Sequence, residues 1–232
     1  MLSLSEVYTM EKIRVIEIKE SVFKENEVKA DSLREDLKKK KTFLLNVMAS
    51  PGAGKTTTLT KIINQLKNKY KIGVMEADID GLVDTKTIIE ATGVDAVQIH
   101  TGGMCHLDAT MTKEGLDGLG DKHYDIIFLE NVGNLVCPAE FDTGSSMNLN
   151  ILSVPEGDDK PIKYPLMFQV CDLVLINKID VIDYFNFSLE RVKENIKLRN
   201  EKAKVIPISA LKNEGITEVC SYLEEKIEEW RK

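Results

Sequence analysis

The chain is poor in aromatic residues (6%), with one tryptophan, six prolines and three histidines in 232 positions, and it lacks any excess of positive charge. Lysine and arginine number 31 against 38 aspartates and glutamates, giving a formal net charge of −7. General nucleic-acid and anionic-membrane binders are ordinarily basic, so the balance argues against both partners. A small anion remains possible, because backbone dipoles bind one against the net charge. No apolar run approaches the ~18 residues that cross a bilayer. Glu6, Glu11, Lys12, Arg14, Glu17, Lys19 and Glu20 leave no apolar stretch for a secretory signal. The expected location is therefore cytoplasmic. In a reducing compartment Cys105, Cys137, Cys171 and Cys220 read as core residues or metal ligands rather than disulfides.

Residues 1–41 contain no proline or glycine and end in four consecutive lysines, Lys38 to Lys41. Val22, Phe23, Leu33 and Leu37 suggest a helix over Ser21–Lys40 with one apolar stripe. The lysine run suits a solvated helix end. From Thr42 the pattern changes. Apolar runs at Phe43–Ala49, Ile72–Glu76, Ala96–Ile99, Ile126–Glu130, Leu173–Ile176 and Val205–Ile208 read as strands. Helical patterns at Lys55–Lys69, Asp84–Thr92, Leu107–Gly115, Ser188–Asn200 and Thr217–Arg231 alternate with them. Runs apolar on both faces suit a mostly parallel, doubly wound α/β sheet with helices on both faces. The expected organisation is a helical arm over 1–41 and one domain over 42–232. Thr143–Pro165, polar and carrying three prolines, reads as a long loop.

Ala49-Ser50-Pro51-Gly52-Ala53-Gly54-Lys55-Thr56 has P-loop spacing, with alanine in place of the first glycine, between a strand and a helix. Gly52, Ala53 and Gly54 would turn N–H groups toward phosphate, and the helix start adds its positive end. Lys55 would neutralise the β- and γ-phosphates, and the Thr56 hydroxyl would hold Mg²⁺. Thr57 completes the nucleotide-binding set. Ile126–Glu130 is an apolar strand ending in an acid, so Glu130 fits a Mg²⁺-holding position, directly or through water. Gly133, three residues on, fits a γ-phosphate sensor. Asp78 and Asp80 follow another strand, and Asp78 is a second metal-shell or water-positioning acid. Asp84 competes for that role, unless it is a helix N-cap. Lys55, Asp78, Asp84 and Gly133 form the catalytic candidates.

Asn177-Lys178-Ile179-Asp180 follows an apolar strand. Guanine offers two adjacent donors that one carboxylate accepts together, whereas adenine would leave Asp180 unpaired. Asn177 would brace the loops, and the Lys178 stem would cover the base. Ser209 and Ala210, after the last strand, would bring a backbone N–H to the guanine oxygen. The nucleotide is thus GTP. Cys105 and His106 follow paired glycines, and Cys137 lies seven residues beyond Glu130. Thiolate with imidazole suits Ni²⁺ or Zn²⁺. On spacing alone, separate buried cysteines remain the simpler reading. Cys171 and Cys220, in apolar surroundings, read as core residues, and His100 and His123, with no evident partner, as structural or surface residues.

These segments together resemble the HypB family of hydrogenase nickel-incorporation GTPases. The matching strings are Ser50–Thr57, Thr101–Ala109, Glu130–Pro138, Lys160–Pro165 and Asn177–Asp180, in family order. The resemblance implies a SIMIBI-type G domain that forms a homodimer on GTP. It implies that Cys105, His106 and Cys137 bind metal at or near the dimer interface, and that Lys163 helps the partner subunit meet nucleotide. The implied work is delivery of nickel to a hydrogenase large-subunit precursor with an accessory nickel-binding maturation protein. This chain lacks the N-terminal cysteine motif or histidine-rich tract of many relatives, so nickel storage is not expected. Its Ala77–Thr87 stretch also lacks the family's threonine and arginine, and with no arginine finger evident, unassisted turnover should be slow. Rival readings are a urease-type nickel-insertion GTPase, a P-loop kinase and a metal buffer. The kinase would need an arginine-bearing lid, which Thr143–Pro165 does not supply.

Overall fold

The structure, a computed structural model, describes residues 18–78 and 83–232. Seven parallel strands form one sheet in the order β3-β2-β4-β1-β5-β6-β7. They are β1 (Phe43–Ala49), β2 (Ile72–Asp78), β3 (Asp95–His100), β4 (Ile126–Glu130), β5 (Met147–Ser153), β6 (Leu173–Asn177) and β7 (Lys204–Pro207). All residues of β1, β4 and β6 are buried, as apolar runs covered on both faces require. The edge strands β3 and β7 are wetter.

Side-chain alternation along β1 divides the core. Leu45 and Val47 face Leu59, Ile62 and Ile63 of the helix Lys55–Leu66 and Val219 and Leu223 of the helix Ile216–Arg231. Leu44 faces the other way, toward Leu33 and Leu37 of the N-terminal helix Ile18–Lys39. Met48 packs with Phe168, Val192 and Ile196. Cys171 and Cys220 are buried, as expected of core thiols.

The N-terminal helix buries Asn26, Ala30, Leu33 and Leu37, a stripe at helical spacing. Val22 lies off that stripe and is 49% exposed, while Phe23, one turn before Asn26, packs against Phe141 with tilted rings 4.9 Å apart. The Asn26 side chain donates to Asp142 O at 2.8 Å and accepts from the Ala109 N–H at 2.9 Å. Arg34 pairs with Asp142 and donates to Ser145 O. The lysine run does end the helix: Lys38 donates to the Trp230 carbonyl and covers its ring, and Lys39 pairs with Asp36.

The loop expected over Thr143–Pro165 in fact holds the interior strand β5, a 3₁₀ turn at Val154–Glu156 and a helical turn at Lys160–Lys163. Asn148 and Asn150 disguise the strand. Three of the four polar atoms they bring into the sheet are bonded: Asn148 accepts from Asn46 Nδ2 at 2.9 Å and donates to Val170 O at 3.2 Å, and Asn150 Nδ2 donates to Met48 O at 3.3 Å, while Asn150 Oδ1 is buried with no hydrogen-bond partner. Among the described residues, no helix is long and apolar enough to cross a membrane.

Candidate nucleotide and metal sites

The P-loop leaves β1 and enters the helix Lys55–Leu66 at Gly54, whose φ is +96°. A Cβ there would lie 2.5 Å from the Asn177 amide, so only glycine lets the loop and β6 approach so closely. Asn177 is buried at the end of β6. Its Nδ2 donates to Ala53 O at 2.9 Å, and its Oδ1 accepts from the Ala210 N–H at 3.1 Å. Lys178 donates to Gly52 O at 2.7 Å. Asp180 accepts from the Ser209 hydroxyl at 2.6 Å. The structure therefore brings together Gly52, Ala53, Gly54, Asn177, Lys178, Asp180, Ser209 and Ala210, which are far apart in sequence.

Gly52, Gly54, Lys55, Thr56, Thr57, Asp84 and Glu130 line one cavity of about 530 Å³. The Thr56 hydroxyl faces Glu130 at 3.4 Å. Glu130 is 1% exposed, and its Oε2 has no hydrogen-bond partner. Burial pushes its carboxyl up to about 8; Lys55 and the Thr56 hydroxyl oppose that shift, and Glu76 and Asp84 add to it. A buried carboxylate with an orphaned oxygen beside a hydroxyl fits a hard cation such as Mg²⁺.

Of the two competing acids, Asp84 lines the cavity. Asp78 ends β2 and pairs in register with His100. Asp80 lies outside the described residues. Glu76, which the sequence reading passed over, stands beside Glu130 in the β2–β4 register and is 3% exposed. Burial raises its carboxyl as well, against hydrogen bonds from Thr85 and Gln98. Among the described residues, Glu76, Asp84 and Glu130 are the set of three donors within 4.8 Å of one another.

A second cluster sits at the other end of the segment that leaves β4. The paired glycines Gly102 and Gly103 turn the chain with positive φ, and Cys105 Sγ lies 3.9 Å from His106 Nδ1. A side-chain hydrogen bond with Cys137, then burial, raises the Cys105 thiol. Cys137 opens a one-turn helix over Cys137–Glu140. Burial lowers the His106 pKa, favouring the neutral, ligating imidazole, although Asp108 and Glu140 pull the other way. The His106 ring stacks on Phe141 at 3.8 Å, a contact with no mark in the sequence motifs. Cys105 thus neighbours both partners, but the three donors do not all close within 4.8 Å. Asp108 caps the helix Ala109–Gly118 by accepting from the Met111 N–H.

One stretch touches both centres. A Cβ on Gly133 would meet Pro51 Cγ at 3.1 Å and Lys55 Nζ at 3.4 Å. The next residue, Asn134, donates to the Cys105 carbonyl at 3.4 Å. Lys163 does not line the P-loop cavity; it pairs with Asp159 at 2.6 Å. His123 faces Asp125 at 3.4 Å, a partner its sequence surroundings did not suggest.

A parallel sheet with a phosphate cradle at the end of β1 defines a P-loop nucleotide-binding domain. Residues 43–207 match the family model described as CobW/HypB/UreG, nucleotide-binding domain. Hydrogenase/urease maturation factor HypB of Helicobacter hepaticus is 41% identical over 215 residues, covering 91% of this chain and 88% of the relative. The crystal structure of HypB from Helicobacter pylori in complex with nickel superposes with a TM-score of 0.83 at 39% identity, covering 88% of this chain and 96% of that one. Hydrogenase maturation factor HypB from Archaeoglobus fulgidus gives 0.80 at 35%, covering 88% and 98%. The chain belongs to the CobW/HypB/UreG family and, within it, to the HypB maturation factors.

Proposed function

We propose that this chain hydrolyses GTP to drive delivery of nickel to a hydrogenase large-subunit precursor, working as a homodimer with an accessory nickel-binding protein. The supporting observation is the single segment from Glu130 to Cys137. Gly133 packs on the P-loop while Asn134 holds the loop of Cys105. A shift of Gly133 on loss of the γ-phosphate would move Cys137, four residues on, with the same backbone. Nucleotide and cargo metal then bias one two-state element, and their effects are reciprocal.

In this reading Lys55 neutralises terminal phosphate charge, and Asp84 is better placed than Asp78 to orient water, because it lines the cavity. Thr56 and Glu130 would hold Mg²⁺, which supplies charge stabilisation at the phosphates when bound. Asp180 selects guanine, with Ser209 fixing its carboxylate. Cys105, His106 and Cys137 carry the nickel, or a zinc ion in its place, and a partner subunit would complete the set. Lys163, outside its own cavity, reaches nucleotide only across such a dimer. Residues 1–41 serve as the arm and 42–232 as the GTPase domain. The Helicobacter hepaticus relative is named for urease as well as hydrogenase, so urease is the alternative recipient.

Gel filtration with metal analysis, with and without a non-hydrolysable GTP analogue, tests the proposal on wild type and Cys137→Ala. The analogue should convert metal-loaded wild type to a dimer, and Cys137→Ala should lose metal. Unchanged mass and metal content in every condition would remove the coupled-site reading. GTP cleavage that survives Lys55→Ala would remove the GTPase.

A further inference from the structure

Strands β2 and β4 begin in step, Ile72 beside Ile126, and each reaches a glutamate at its fifth residue, so Glu76 and Glu130 stand side by side on one face. Both are almost fully buried. The Thr85 hydroxyl, 3.0 Å from Glu76 Oε2 and also touching Gln98, ties Glu76 to the helix Val83–Thr92. That helix brings Asp84 into the same group, with the three carboxylates within 4.8 Å of one another. Glu130 Oε2 is buried with no partner. Two carboxyl groups held adjacent in a sheet repel when both ionise, and either a proton or a cation between them answers.

We infer that Glu76, Asp84 and Glu130 form a divalent-cation site that fills before any nucleotide arrives, with Glu76 as the ligand that makes it complete. Mg²⁺ at phosphate-cleaving sites usually leans on one or two carboxylates and on the substrate's own phosphates. Here three carboxylates share a site with the ammonium groups of Lys55 and Lys61, which line the same cavity, so negative charge remains for a divalent ion to balance without nucleotide. The donors are all hard oxygens, with the Thr56 hydroxyl beside Glu130. Such a set takes Mg²⁺ or Mn²⁺ and leaves softer metals to the thiols of Cys105 and Cys137. The cation would pre-set the cradle, pinning the start of the helix Val83–Thr92 to the sheet.

The test uses Mn²⁺ alone and nucleotide-free full-length protein, following loss of the free Mn²⁺ paramagnetic signal. Wild type should hold one Mn²⁺ per chain. Glu76→Gln should weaken that binding at least ~10-fold, with zinc stoichiometry at the thiols unchanged. Circular dichroism checks the fold of the variant, and Asp84→Asn, outside the strands, serves if Glu76→Gln does not fold. Mn²⁺ that binds only with nucleotide, or binds Glu76→Gln or Asp84→Asn as tightly as wild type, would overturn the inference. None of these readings depends on GTP cleavage, so the inference and the functional proposal can fail separately.

Discussion

Replacing Gly133 with alanine adds one methyl group at the point where the β4 segment meets the P-loop. That methyl would stand 3.1 Å from Pro51 Cγ, 3.3 Å from Pro51 N and 3.4 Å from Lys55 Nζ. Pro51 N is backbone, so either the P-loop or the 131–136 segment must yield by a few tenths of an ångström. Overpacking of this kind costs about 1–3 kcal/mol. Gly133 lies outside the buried core, so that cost should fall on nucleotide binding rather than on global unfolding. The expected result is a GTP affinity reduced roughly 10- to 100-fold, at about 1.4 kcal/mol per decade. Metal affinity at Cys105 and Cys137 should change alongside it, because Asn134 carries the displacement to the Cys105 carbonyl. Titration with a fluorescent GTP analogue reads the first effect, metal titration the second, and denaturant unfolding checks that the midpoint stays near wild type. Wild-type affinity for both ligands would refute the reasoning. So would a loss that denaturant unfolding explains in full.

Asp180→Asn exchanges an acceptor for a donor and should lower GTP affinity about 100-fold or more, since it removes two charge-assisted hydrogen bonds. The same variant should gain affinity for xanthosine triphosphate, whose ring offers a carbonyl where guanine has its amine; competition binding distinguishes the two. Asn177→Ala removes the bonds to Ala53 O and the Ala210 N–H. It should destabilise the fold by about 1–3 kcal/mol in denaturant titrations and weaken every nucleotide alike. Asp125 is held below the usual carboxylate range: burial opposes this, but the Lys71 N–H and the Arg231 guanidinium outweigh it. Its contribution is therefore present above the ordinary aspartate pKa and is lost as pH falls through the lower folded value. Asp125→Asn should cost about 1–2 kcal/mol at pH 7, with the gap from wild type closing below about pH 4 in thermal melts.

Most of the sheet was legible because its strands are buried on both faces and therefore read as unbroken apolar runs. β1 and β4 fall on the expected residues. Strand β5 did not announce itself. Its burial depends on Asn148 and Asn150 finding partners on neighbouring strands, which no local pattern records. The cradle was legible from spacing, because phosphate chemistry dictates glycine, lysine and threonine in a fixed order. Glu76 was not, since no glycine follows it at the three-residue spacing that marks Glu130, and only register places the two side by side. The signal was present in the two strands, each an isoleucine followed four residues later by glutamate. Phe141 was likewise invisible, because its role is to stack on His106, 35 positions earlier in the chain. The stripe of the N-terminal helix was right except at Val22: Phe23, at the same helical spacing, packs on Phe141. Leu33 and Leu37 are core, while the stripe continues through Ala30 and Asn26 rather than Val22.

Coupling between the phosphate cradle and the thiol–imidazole cluster means that the two sites share free energy. Calorimetric titration of nickel into the protein, with and without a saturating non-hydrolysable GTP analogue, measures this directly. A nickel affinity that differs several-fold between the two titrations, mirrored by an equal change in analogue affinity when nickel is bound first, is the predicted result. Identical nickel affinities with and without the analogue would contradict it.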